Sequence, residues 1–165
     1  MEKVYGSPKR QDGLYKVGRN TWELIYGFGK DRDDDETGWN WRQRFRYKPT
    51  EEEVKNVIVA QIDANTDNKI LTGFKWKGLP VWLSTENQMN YKAAYDLAVQ
   101  MGGGILPIKF KLGEDESGNA QYHTFEALEE FTDFYTKAVM HVTTCLNEGW
   151  KEKDSVNVQK IINNE

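Results

Sequence analysis

His141 and Cys145 stand four residues apart, a spacing that makes two side chains neighbours on one face of a helix. A thiol beside an imidazole is the beginning of a nucleophilic dyad. That chemistry also needs an oxyanion hole and a third group to orient the base, and no Gly-rich turn stands beside this pair. The plainer assignment of Cys145 is a small apolar residue in a helical stripe. As the single cysteine it forms no internal disulfide. His123 and His141 fall on different elements, with no His-x-x-x-His pattern between them, so a zinc site is not expected.

Two oxygen-rich stretches invite a calcium test. In Asp31–Glu36 the acids are nearly consecutive, without an alternation of ligands or a later bidentate Glu. In Asp63-Ala64-Asn65-Thr66-Asp67-Asn68 the first half mimics a calcium loop. Its sixth place lacks the turn glycine, and Phe74 stands where the closing Glu belongs. Gly102-Gly103-Gly104 resembles a phosphate cradle in composition only. The order is helix, glycine, strand, and no Lys-Ser/Thr comes after it. These residues predict no catalytic group, no cofactor site and no metal site.

The six tryptophans are the more unusual feature. Large aromatic side chains fill the cores of small domains, and they are also enriched where proteins meet. Trp22, Trp39, Trp41, Trp76 and Trp82 are the candidate interface residues. Exposed indoles also stack on sugar rings, so a carbohydrate-binding module is an alternative. The net charge is -4, which argues against broad nucleic-acid binding. Arg42, Arg44, Arg46 and Lys48 make the best basic run, and their alternation suits an exposed strand face better than a nucleic-acid platform. The start, MEKVYGSPKRQDG, has no apolar signal region, and no apolar run approaches the roughly 18 residues that span a bilayer. A soluble protein made in a cytoplasm is expected.

The elements that must position these residues predict an α+β fold. Residues 1–12 are polar and read as a loose arm. Residues 13–48 read as a three-stranded antiparallel meander. In it Trp39, Trp41, Phe45 and Tyr47 alternate with Asn40, Arg42, Arg44 and Arg46, giving one aromatic and one basic face. A sheet this small is expected to pack on the helical domain C-terminal to it. Thr50 and Glu53 form a capping box that starts a helix over 50–64, with Asn65–Asn68 as its end. Phe74–Trp76 and Val81–Leu83 make a hairpin turned at Gly78. Ser84, or Thr85 with Gln88, caps a second helix whose core face is Ala94, Leu97, Ala98 and Met101, stopped by Gly102. A strand over 105–112 and a return over 120–123 form a second hairpin. Thr124 then caps the longest helix, ending near Gly149, with a heptad-like seam of Leu128, Phe131, Tyr135, Ala138, Val142 and Cys145 that Val139 widens. The organisation is a 1–48 aromatic β region with its arm, a 49–150 α+β domain and a 151–165 polar tail with one weak helix.

Gly73-Phe74-Lys75-Trp76-Lys77-Gly78, then Val81-Trp82-Leu83-Ser84-Thr85-Glu86-Asn87-Gln88 with Tyr91, carry a resemblance. With Thr124–Leu128 and Ala138-Val139-Met140-His141-Val142 they resemble a domain of unknown function found in phage and prophage proteins, often in tail and tail-fibre genes. The wording is similar to versions from gut Bacteroidetes phages, and the match covers about 50–150. The motifs are hairpin and capping signals, and the resemblance brings no catalytic residue with it. It implies a non-enzymatic structural protein of the tail or tail-fibre region, located in the virion and made in the host cytoplasm. Its partners would be other virion proteins, met by docking, with several copies in a symmetric assembly and no membrane. A tail-fibre assembly chaperone absent from mature particles is the nearest alternative.

Overall fold

The computed structural model describes residues 1–164. The fold is α+β: an N-terminal antiparallel sheet, then helices with two short β-hairpins. By contacts the chain divides into two compact units. One comprises Met1–Asp63 and the chain from Glu152 onward, the other Ala64–Lys151. The division falls inside two long helices, so each helix contributes residues to both units.

In the first unit β1 (Glu2–Ser7), β2 (Gly13–Gly18), β3 (Thr21–Gly29) and β4 (Gly38–Phe45) form one sheet in the order β1-β4-β3-β2. The arm expected at 1–12 is therefore largely a strand, and the meander has four strands rather than three. β1 runs antiparallel to β4, from Glu2↔Arg42 to Tyr5↔Trp39, and covers an edge that would otherwise present unpaired backbone groups. The Lys3 ammonium holds the pairing, 4.5 Å from the Trp39 ring and 2.9 Å from the Asp31 carboxylate.

Cross-strand partners share a face. Trp22↔Phe45, Leu24↔Gln43 and Tyr26↔Trp41 lie on one side, Glu23↔Arg44 and Ile25↔Arg42 on the other. The first side supplies Leu14, Leu24 and Tyr26 to a core with Val54, Ile58 and Ile62 of α1 (Glu51–Thr72) and Val158 and Ile161 of α4 (Val158–Asn163). So the polar tail is structural. Asn157 caps α4 by accepting from the Lys160 N–H at 3.0 Å, and Asn164 accepts from the Leu14 N–H at 2.9 Å.

The capping box forms as expected: the Thr50 hydroxyl accepts from the Glu53 N–H at 3.2 Å, and the Glu53 carboxylate accepts from the Thr50 N–H at 2.8 Å. Thr50→Ala should cost about 1 kcal/mol, read as a lower midpoint in chemical denaturation. α1 does not stop at Asn65. It runs on to Thr72, because Ile70 continues the four-residue rhythm of Ile58 and Ile62 and is itself buried. Burial outweighs the weak helix propensity of Asn65–Asn68.

The second unit holds β5 (Phe74–Trp76), β6 (Leu79–Val81), α2 (Thr85–Gln100), β7 (Ile108–Glu114), β8 (Ala120–Phe125) and α3 (Leu128–Ser155). The β5–β6 turn has both central residues in the left-handed region, Lys77 at φ 49° and Gly78 at φ 80°. This two-residue turn matches the strand twist and is tighter than the four-residue link expected. Ser84, not Thr85, caps α2, accepting from the Asn87 N–H at 3.2 Å. Gln88 reaches instead to the Leu83 carbonyl at 2.7 Å. Two boundaries also move. β7 begins at Ile108 rather than Ile105, and Thr124 stays in β8, so α3 begins at Leu128. The reason is Phe125, fully buried opposite Ile108.

The core of this unit is aromatic: Phe74, Trp76, Tyr91, Phe125, Phe131 and Phe134. Phe125 and Phe131 stack at 4.7 Å, and Tyr91 stands edge-on to Phe134 at 5.0 Å. The aromatic residues displace the expected core face of α2. Tyr91, Ala94, Tyr95 and Ala98 face inward, while Leu97 and Met101 are exposed.

Candidate functional site

The His141–Cys145 pair forms, with Sγ 3.6 Å from Nε2. The same Nε2 lies 3.0 Å from the Lys69 carbonyl oxygen. A carbonyl only accepts, so Nε2 carries the proton and donates it. A protonated Nε2 has no lone pair to take the thiol hydrogen. Burial pushes the Cys145 thiol up, the direction opposite to an activated thiolate. The imidazole also packs on the Phe74 ring at 5.4 Å. Its place is that of a tie from α3 to the last turn of α1, where the Lys69 carbonyl also accepts from the Gly73 N–H at 2.9 Å.

His123 is engaged in another network. Its Nε2 lies 3.2 Å from Glu130 Oε1, which accepts from Lys77 Nζ at 2.6 Å. The Trp76 indole N–H donates to Asp133 at 3.0 Å, and Lys137 pairs with the same carboxylate at 2.8 Å. Lys137, then Trp76, hold Asp133 below the ordinary carboxylate range. These bonds pin the β5–β6 hairpin to the first turns of α3. Among the described residues no group of three or more His, Cys, Asp or Glu converges on a point where a metal ion would sit. In the acidic loop Asp31 pairs with Lys3 and Asp35 with Arg32.

The candidate tryptophans part company. Trp76 is 1% exposed and belongs to the core. Trp22 is half-buried beside the first unit's core. Trp39 and Trp41 meet edge to face at 5.3 Å on the sheet. Trp82 is 38% exposed, and Trp150, outside the candidate set, is more exposed still. The basic face of β4 is partly offset by one carboxylate. Glu23, almost fully buried, accepts from Arg44 at 2.7 Å and from Arg42 at 3.3 Å. The two arginines share that one carboxylate, which holds them along the strand.

The surface best formed for recognition lies between α2 and α3. A groove of about 270 Å³ opens there, with Leu83 in its lining. α2 contributes Thr85, Gln88, Met89 and Lys92, one side of a helix at i, i+3, i+4 and i+7. α3 contributes Tyr135, Ala138, Val139, Val142 and Thr143 in the same rhythm. Tyr95 and Tyr135 stack at 4.5 Å and hold the two helices together. Met89 is 66% exposed and Val139 45%. Lys92, the charged residue of the lining, is paired with Asp96 at 2.6 Å. Tyr91 also lines the groove, is 2% exposed, and its hydroxyl has no hydrogen-bond partner among the described residues. Burial alone pushes that phenol up to about 12. Among the described residues, the groove's lining holds no His, Cys, Asp or Glu. It is suited to bind an uncharged, largely apolar surface.

The sequence signal for this groove is the surplus of apolar residues on α2 and α3. Val139 lies beyond the core stripe of α3, and Met89 stands opposite the buried face of α2. Spacing alone places Val139 in the widened seam of α3, because the aromatic core that excludes it is visible only once Tyr91 and Tyr95 are placed.

No curated protein matches the chain, and no solved structure matches it. The family described as Domain of unknown function (DUF4376) matches residues 53–164, more than half of the chain, and the protein belongs to that family.

Proposed function

We propose that the protein is a non-enzymatic docking component of a phage virion, in the tail or tail-fibre region, and that it works by protein–protein contact through its second unit. The observation that carries this reading is the exposed apolar surface of α2 and α3. Met89, Leu97, Val99 and Met101 on one helix and Val139 and Met140 on the other are all left to solvent. Of these, Met89 and Val139 come together in the one groove, and an exposed apolar patch marks a site of contact with other proteins. The histidines and the cysteine are engaged within the fold, which supports contact rather than chemistry. The resemblance of the Gly73–Gly78 hairpin and the Val81–Gln88 helix start to phage tail-associated sequences supplies the setting.

Copurification during infection tests the contact. The tagged chain should recover a tail or tail-fibre protein, and Met89→Lys with Val139→Glu, both in the groove, should reduce that recovery at least tenfold while circular dichroism stays unchanged. Equal recovery by the variant would remove this surface from the reading. A tail-fibre assembly chaperone would use the same surface but leave the mature particle. A carbohydrate-binding role would fall instead on Trp82 and Trp150, the most exposed indoles, and a silent glycan array would dismiss it.

A further inference from the structure

The two hairpins of the second unit share an outward face. In β5 and β6 Phe74, Trp76 and Val81 turn to the core, which sends Lys75 outward, and Trp82 directly after Val81. In β7 and β8 Phe110, Leu112 and Phe125 turn inward, and Lys109, Lys111 and Tyr122 outward. The Trp82 N–H donates to the Leu112 carbonyl at 2.8 Å and joins one hairpin to the other. Lys111 and Tyr122 are cross-strand partners. Lys75, Trp82, Lys111, Tyr122 and Lys109 therefore run across one exposed surface, which shares no residue with the α2–α3 groove.

This surface is basic in a chain of net charge -4. Its three lysines stand against Glu114, which closes on Lys111 at 2.7 Å. Among the described residues no ion pair engages Lys75 or Lys109. The charge of the whole chain sets its distant field, which salt screens; a ligand in contact meets the local one.

Each exposed ring on it carries one of these ammonium groups. Lys111 Nζ lies 5.5 Å from the Trp82 centroid, and Lys109 Nζ 4.7 Å from that of Tyr122. Trp82 is 38% exposed and Tyr122 56%. A ring beside a cation, repeated across neighbouring strands, matches a ligand that repeats a planar ring beside an anion. An acidic protein surface offers the charge without the rings, and a neutral glycan stacks on the rings without using the charge. A single strand of nucleic acid offers both, phosphates for the lysines and bases that stack on aromatic side chains.

We propose that the outward face of the β5–β6 and β7–β8 hairpins binds single-stranded nucleic acid without sequence preference, with Trp82 and Tyr122 as stacking platforms and Lys75, Lys109 and Lys111 as phosphate contacts. This goes beyond the docking reading and does not rest on it. It uses other residues, and the purified chain alone tests it.

Fluorescence anisotropy of a labelled oligothymidylate with the full chain should show binding that weakens about sevenfold between 50 and 200 mM salt, as two lysines on phosphates imply. Lys75→Gln with Lys109→Gln should remove most of that salt dependence. Lys16→Gln with Arg19→Gln takes the same charge from the first unit and should leave binding within about twofold. Trp82→Ala and Tyr122→Ala should each weaken binding about fivefold or more. Tyr122, at 56% exposed, is the change the fold tolerates more easily, and melting curves confirm that both variants are folded. Heparin, a polyanion without bases, should compete far less well than unlabelled oligothymidylate. A chain that does not bind the oligonucleotide at 50 mM salt overturns the proposal. So does binding indifferent to both aromatic changes and displaced equally by heparin, which assigns the face to polyanions at large. A chain silent to the oligonucleotide but held on neutral glycans through Trp82 overturns it in favour of sugar.

Discussion

Trp76→Ala should cost the second unit about 3–5 kcal/mol, the largest loss expected from a single substitution here. The indole is 1% exposed, with Phe134 at 5.3 Å and Phe125 at 5.5 Å, and His123 edge-on at 4.9 Å. Removing it opens a cavity between β5 and α3 that rigid rings on every side cannot collapse to fill. It also strips Asp133 of a donor. Trp76→Phe keeps most of the volume and should cost less. Its signature is in the pH dependence. The folded Asp133 carboxyl is held below its ordinary value by Lys137 first and Trp76 second. A depressed carboxyl contributes stability above its unfolded pKa and loses it as pH falls through the folded value. Denaturation midpoints tracked downward from neutral pH should therefore fall less steeply in Trp76→Phe than in the wild type. An unchanged slope would show that the indole N–H has no hold on Asp133.

Gly149→Ala should destabilise by about 1–3 kcal/mol, although alanine in a helix interior is ordinarily worth about 1 kcal/mol over glycine. Gly149 is buried inside α3, and a Cβ there would collide with Thr66 Oγ1 and stand 3.3 Å from Thr66 Cγ2. The glycine is what lets α3 pass the Thr66 side chain of α1. Thr66→Ala removes both obstructing atoms, so Gly149→Ala should be far less damaging in that background. Thermal melts of the four proteins in the cycle measure the coupling. A Gly149→Ala chain that melts higher than wild type would show that the approach at Thr66 is slack.

Gly149 also shows where reading the sequence runs out. From spacing alone a glycine after Leu146 reads as a helix stop, because glycine most often serves that way. Inside the fold it is a point of close approach, and α3 runs six residues further, to Ser155. Nothing local distinguishes the two roles; the deciding atom is on Thr66, far away in sequence. Features decided locally were legible. The Thr50–Glu53 capping box, the Gly78 turn and the two short hairpins all formed. Features decided by partners were not. β1 reads as an arm until the open edge of β4 is there to pair with it. Asn65–Asn68 reads as a helix end until Ile70 finds the core.

The candidate site obeyed the same rule. The His141–Cys145 contact could be placed from its i, i+4 spacing, but the Lys69 carbonyl that claims the imidazole comes from another element. The tryptophans drew notice by number, yet Trp76 closes a core while Met89 and Val139, plain apolar residues, frame the groove. An aromatic core built from Tyr91, Phe131 and Phe134 takes the volume that aliphatic residues on α2 and α3 would have filled. The aliphatic residues are left outside, and the docking reading rests on them.

Mass spectrometry of gradient-purified particles from a phage encoding this chain tests that reading most directly. The account predicts the chain in mature particles, in several copies per particle and in constant ratio to a tail protein. A chain abundant in the infected-cell lysate but missing from the particles would contradict it and favour the assembly chaperone.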